Sequence, residues 1–208
     1  MSTHDLSELV SARLCHDLIS PIGAIGNGLE LFGLAGGAGG PELALVHDSL
    51  ATALAKLRFY RVAFGPADAQ ARQSLEEAAQ ITDAMFGGRF TVVWDAGRGD
   101  LDRRLLRLVF LAILCLEKSL PMGGVVRVGQ EDAVIALRVD GRRTQPPPEL
   151  WAHVTDGAPV ADLRPDAVQF ALLRQALLAS GHRVAARFGE SSAEVDLVLS
   201  PELAEARP

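Results

Sequence analysis

Apolar residues recur at Leu6, Val10, Leu14, Leu18, Ile22, Ile25, Leu29 and Phe32, in steps of four and three that mark one face of an α-helix rather than a strand. A second run, Leu43, Val46, Leu50, Leu54, Leu57 and Phe64, repeats the rhythm from about Pro41 onward. Between them lies Gly33-Leu34-Ala35-Gly36-Gly37-Ala38-Gly39-Gly40-Pro41, a flexible connection in which glycine ends one helix and proline prepares the next. The two helices are expected to fold back as an antiparallel hairpin. Such a hairpin, with an apolar stripe on each member, leaves one side uncovered. Pairing two copies into a four-helix bundle covers it, so a homodimer is expected.

Gly65-Pro66 closes this half, and the pattern changes character from about residue 72. A helix is predicted over 73–86, a strand over 90–94 and a helix over 101–120. Two strands (125–128 and 133–139), a helix (166–180) and two strands (183–188 and 194–199) follow. Glycines 123, 124, 141, 181 and 189 fall at the junctions. The segment from Leu105 to Leu116 is apolar almost all round and reads as a core helix. The fold class is α+β, with residues 1–66 a helical hairpin for dimerisation and residues 67–208 one sheet covered by helices.

The chemistry concentrates in the first helix. At about 100° per residue, His16 lies roughly 200° from both Leu14 and Leu18, so its imidazole is expected to project into solvent. Leu9, Arg13, Ser20, Gly23 and Asn27 share that face by the same spacing. Pro21 removes an amide donor and is expected to bend the helix just past the histidine. Gly23, Gly26 and Gly28 each cost a helix about 1 kcal/mol relative to alanine. Their presence is read as a surface where another protein's helix approaches His16, with Leu9, Gly23 and Asn27 as partner contacts; the alternative reading is that the glycines merely loosen the helix end. A neutral imidazole, with its ordinary pKa of about 6.5, is a competent nucleophile near pH 7. Arg13, one turn before, can offset phosphoryl charge, and Ser20, one turn after, can donate a hydrogen bond.

Composition narrows the partners. The 208 residues are 49% hydrophobic and 22% charged, which allows a folded core and argues against disorder. The net charge of -6 lacks the basic footprint of a nucleic-acid binder. The longest apolar run is too short to cross a membrane, and no signal-like segment opens the chain. A cytoplasmic protein with protein partners is expected. Cys15 and Cys115 lie within apolar helical patterns, where a buried reduced thiol is expected.

Arg13-Leu14-Cys15-His16-Asp17-Leu18-Ile19-Ser20-Pro21-Ile22-Gly23-Ala24-Ile25 resembles the H-box of histidine kinase dimerisation domains. Extended through Gly26-Asn27-Gly28-Leu29-Glu30, it resembles more narrowly the ChpT family of bacterial histidine phosphotransferases. The resemblance is specific over residues 6–32 and weaker elsewhere. It implies that His16 is phosphorylated and that Asp17 orients or activates it, completing a catalytic set of His16, Asp17, Arg13 and Ser20. It implies phosphoryl transfer from the receiver domain of a hybrid histidine kinase to response regulators, in an alphaproteobacterial cell-cycle phosphorelay.

The second half resembles the ATPase-like (Bergerat-type) α/β sandwich of histidine kinases in degenerate form. Where that family carries a magnesium-binding asparagine, this chain offers Ala112, Cys115 and Leu116, none a hard oxygen ligand. Asp140-Gly141-Arg142-Arg143-Thr144 keeps an aspartate without the paired glycines, and no glycine-rich lid precedes Asp166. No bound cofactor or metal is therefore expected, and magnesium is expected in the partner receiver domain.

Other readings stay open. An autophosphorylating histidine kinase would need an atypical ATP site, and an adaptor would bind receivers without turnover. His16-Asp17 and His47-Asp48 together could belong to a metal-dependent phosphohydrolase, although further ligands are missing. His4, His153 and His182 read as surface or packing residues.

Overall fold

The computed structural model describes residues 3–34, 40–68, 71–95 and 99–200. Helix α1 (Thr3–Leu34) runs without interruption through Pro21, and α2 (Pro41–Ala63) begins with its proline in the first turn. The bend expected at Pro21 does not break the helix. Residues 35–39, most of the glycine-rich connection, lie outside the described residues.

The hairpin is antiparallel. Gly28 meets Val46 and Glu42, whereas Asp17 meets Lys56 and Tyr60, so residue numbers fall along α2 as they rise along α1. A Cβ on Gly28 would come within 2.6 Å of Val46 Cγ2 and 3.3 Å of the Glu42 carbonyl oxygen. This glycine therefore serves close packing inside the hairpin, and a docking role is not needed to explain it. At Gly23 and Gly26 a Cβ would meet open space.

The packing faces differ from the apolar stripes of the sequence. Past Pro21, α1 turns Pro21, Ala24, Ile25, Gly28 and Phe32 toward α2, while Ile22 and Leu29 are exposed. On α2 the buried residues are Ser49, Ala53, Ala55, Phe59, Tyr60, Val62 and Ala63. Leu43, Leu50, Leu54 and Leu57, expected to seal the hairpin, are exposed. Small side chains such as Gly28 let the two helices approach, while these four leucines face outward.

The rest is mixed α+β. Strand β1 (Arg72–Ser74) pairs with β3 (Asp100–Asp102) in a short antiparallel ribbon that the sequence pattern did not reveal. Ser74 caps α3 (Leu75–Met85), accepting from Glu77 N at 3.1 Å. Asp102 caps α4 (Arg103–Ser119), accepting from Arg104 N at 2.7 Å. The main sheet comprises β2 (Phe90–Trp94), β4 (Gly124–Glu131), β5 (Val134–Gly141), β6 (Arg183–Phe188) and β7 (Ser192–Val198). Its order is β2-β4-β5-β7-β6, parallel between β2 and β4 and antiparallel elsewhere. Gly123, at φ +79°, immediately precedes β4, where any Cβ would fall 2.0 Å from the Arg89 carbonyl oxygen, so only glycine fits.

Strand β7 shows the two faces plainly: Ala193, Val195 and Leu197 are buried, while Glu194 and Asp196 pair with Arg187 and Arg138 outside. Helices α4, α5 (Pro148–Asp156) and α6 (Val168–Ser180), with a 3₁₀ turn at Pro165–Ala167, contribute the remaining core. The expected core helix is α4, and Leu106 and Leu108 through Leu116 are all buried in it. Phe59 of α2 stacks on Phe110 at 4.7 Å and meets Phe86 edge-on at 5.2 Å, so α2 belongs to the hairpin and to this core at once.

Candidate functional site

His16 lies midway along α1 with 84% of its side chain exposed. Its Nδ1 is 3.0 Å from Asp17 Oδ1. Burial opposes ionisation of Asp17, but hydrogen bonds from His16 and Tyr60 and the charge of Arg13 outweigh it, holding the carboxyl below the usual aspartate range. An ionised carboxylate only accepts hydrogen bonds, so Nδ1 carries the proton and donates it. The Nε2 lone pair is left free as the ring's nucleophilic position.

The other carboxylate oxygen is also occupied. Asp17 Oδ2 accepts from Arg13 Nε at 2.6 Å, one helical turn away, and from the Tyr60 hydroxyl across the hairpin. The Asp17 carbonyl oxygen accepts from Lys56 Nζ at 2.9 Å. Arg13 also donates through Nη1 to the Asp166 carbonyl at 3.1 Å. The 3₁₀ turn before α6 thus reaches the first helix, and Lys118 of α4 pairs with the Asp166 carboxylate beside it. Burial raises the Glu117 carboxyl on α4, against the nearby positive charges of Arg13, Lys56 and Lys118.

The structure brings His16, Asp17 and Arg13 together, although the Arg13 donors are turned onto Asp17 and Asp166. Ser20 is exposed one turn on, and no hydrogen bond joins it to His16 among the described residues. Gly23 and Asn27 are exposed. Leu9 is half-buried against the core, where α1 lies against α6 and the 3₁₀ turn. Cys15 is exposed and Cys115 buried, both free thiols, which corrects the expectation for Cys15.

Lys56, Tyr60 and Asp166 escaped the sequence reading. The only local signal was on α2, where the chain's one tyrosine follows a lysine by one helical turn. Asp166 arrives from a distant segment and carried no such signal.

Among the described residues, no three His, Cys, Asp or Glu side chains gather as a metal site. His47 is exposed on α2, His153 Nδ1 lies 2.7 Å from the Ala158 carbonyl, and buried His182 accepts from Ser200 N. The side chain of His4 lies outside the description. Ala112, Cys115 and Leu116 are wholly buried. No described helix is long and apolar enough to cross a membrane.

A solvent-facing imidazole, held in one tautomer by an ionised neighbour on a helical hairpin, has the form of a phosphoryl-accepting histidine. Comparison with known proteins places the chain as a whole. Residues 75–192 match the family model described as the histidine phosphotransferase C-terminal domain. The protein phosphotransferase ChpT of Brucella abortus (strain 2308) is 33% identical over 175 residues, covering 81% of this chain and 83% of that one. A solved bacterial phosphotransferase superposes with a TM-score of 0.78 at 28% identity, over 95% of this chain and 97% of that one. The chain belongs to the ChpT family of histidine phosphotransferases.

Proposed function

We propose that this phosphotransferase accepts a phosphoryl group from a receiver-domain aspartate of a hybrid histidine kinase onto His16 Nε2. It then donates the group to aspartates of response regulators. The observation that carries this reading is the exposed ring with its Nδ1 engaged by Asp17. In the first transfer the Nε2 lone pair forms the N–P bond while the P–O bond of the acyl phosphate breaks, and the electron pair leaves with the receiver carboxylate. Nδ1 keeps its proton, and the positive charge developing on the ring faces the Asp17 carboxylate. Reversal onto another aspartate returns the ring to its starting state.

Incubation with a phosphorylated receiver domain is expected to label the wild-type chain, and His16→Ala is expected to abolish labelling. Undiminished labelling of that variant would overturn the reading. Magnesium belongs, on this proposal, to the receiver. The second half, residues 67–208, is taken as a degenerate ATPase-like sandwich without a nucleotide site, supported by the apolar, buried positions 112, 115 and 116.

The active form is proposed to be a homodimer with the hairpins of residues 1–66 paired as a four-helix bundle. Two exposed stripes support it: Cys15, Ile19, Ile22, Gly26, Leu29 and Gly33 on α1, and Leu43, His47, Leu50, Leu54, Leu57 and Arg61 on α2. Both alternate steps of four and three, the seam of packed left-handed bundles. Leu54→Asp combined with Leu57→Asp is expected to yield monomers in analytical ultracentrifugation at concentrations where the wild type is dimeric.

A further inference from the structure

Pro21 lacks the amide hydrogen that would normally satisfy the Asp17 carbonyl four residues earlier. Lys56 Nζ fills that vacancy from the opposite helix at 2.9 Å. One turn further along α2, the Tyr60 hydroxyl donates to Asp17 Oδ2. Residues four apart share a helix face, so α2 grips the backbone and the side chain of Asp17 from one side.

Tyr60 is only 3% exposed. Its ring stacks on Phe64 at 5.0 Å and meets Phe59 edge-on at 6.2 Å, which leaves the hydroxyl little freedom except toward Asp17. With Tyr60 and Arg13 Nε both on Oδ2, Oδ1 remains for His16 Nδ1. Without the hydroxyl, the Arg13 fork is free to span both carboxylate oxygens, the geometry guanidinium groups favour, and Oδ1 is drawn away from the ring.

We infer that Tyr60 and Lys56 are positioning residues for phosphoryl acceptance: they clamp Asp17 so that its Oδ1 holds His16 in the Nδ1–H tautomer. The inference rests on His16 being the acceptor. It adds a role for the proline, which frees a carbonyl for the lysine of the second helix.

The test uses the full chain labelled with ¹⁵N-histidine, with His16→Ala to assign the ring signals. In wild type, His16 is expected to show an unprotonated Nε2 and a protonated Nδ1. Tyr60→Phe and Lys56→Met are each expected to shift this population toward the other tautomer. Each is also expected to slow labelling by a phosphorylated receiver domain by about tenfold, since misplacement of a reacting group is costly. In a Pro21→Ala background the restored amide reclaims the Asp17 carbonyl, so Lys56→Met is expected to lose its effect on rate.

An unchanged tautomer and rate in folded Tyr60→Phe would overturn the inference. Should that variant not fold, an equal effect of Lys56→Met with and without Pro21 would overturn it instead. Failure of the wild type to become labelled at His16 would refute the acceptor role, and the tautomer measurement separates that case.

Discussion

Asp17→Asn is expected to slow phosphoryl acceptance at His16 by about 10²- to 10⁴-fold, the range associated with losing a proton-directing partner or the correct imidazole tautomer. The carboxylate now accepts from Nδ1 through Oδ1, and from Arg13 and Tyr60 through Oδ2. An amide of the same shape can donate to Nδ1 instead, which would move the ring proton to Nε2 and block the attacking lone pair. Initial rates of labelling from a phosphorylated receiver, measured with the receiver in excess, test this. A rate within a factor of two of wild type would show that Asp17 does not direct the ring.

The same substitution has a signature in stability. The Asp17 carboxyl is held below its ordinary value despite burial. Its ionisation therefore contributes stability above about pH 4, the ordinary carboxylate range, and that contribution disappears as pH falls through the lowered value. Asp17→Asn is expected to remove this part of the acid dependence, so urea midpoints of wild type and variant should converge as pH drops toward 3.

Phe110→Ala is expected to cost about 3–5 kcal/mol of folding stability, the range for deleting a buried aromatic side chain. Phe110 is wholly buried in α4 and stacks on Phe59 of α2. The cavity would therefore open where the hairpin joins the α/β core. Equilibrium urea unfolding at fixed protomer concentration is the measurement, because the proposed dimer would link stability to concentration. A loss below about 1 kcal/mol, the level of a typical surface-tolerant change, would contradict the packing described.

The packing of α2 explains why the stripe readings were only partly right. Periodicity identifies which residues share a helix face, and Leu43, Leu50, Leu54 and Leu57 do share one. It does not say which neighbour that face meets. Gly28 lies against Val46 and Glu42 of the other helix, and Ser49 and Ala53 are buried on α2; small residues of this kind add little to an apolar pattern. Leu9 is half-buried for a related reason: spacing along one helix does not show that α6 and the 3₁₀ turn lie against its first half.

Strand edges were legible where glycine or a turn broke a β-branched run. Strand β2 spans 90–94 and β6 spans 183–188 as read. The ribbon of β1 and β3 was not, since three-residue strands carry too few alternations to register as a period. Helix α5, at Pro148–Asp156, was missed as well, nine residues being short for a helical pattern to declare itself.

Local sequence by itself determined the helix that bears His16, the outward projection of its ring, its adjacency to Asp17 and the buried helix α4. These follow from spacing along one chain segment, which backbone geometry converts directly into direction. Only the tertiary structure decided that Asp17 is gripped from α2 by Tyr60 and Lys56, that Arg13 also reaches Asp166, and that α2 shares its core with α4. Those contacts join residues 39 to 153 positions apart, and no local period encodes a distance of that kind.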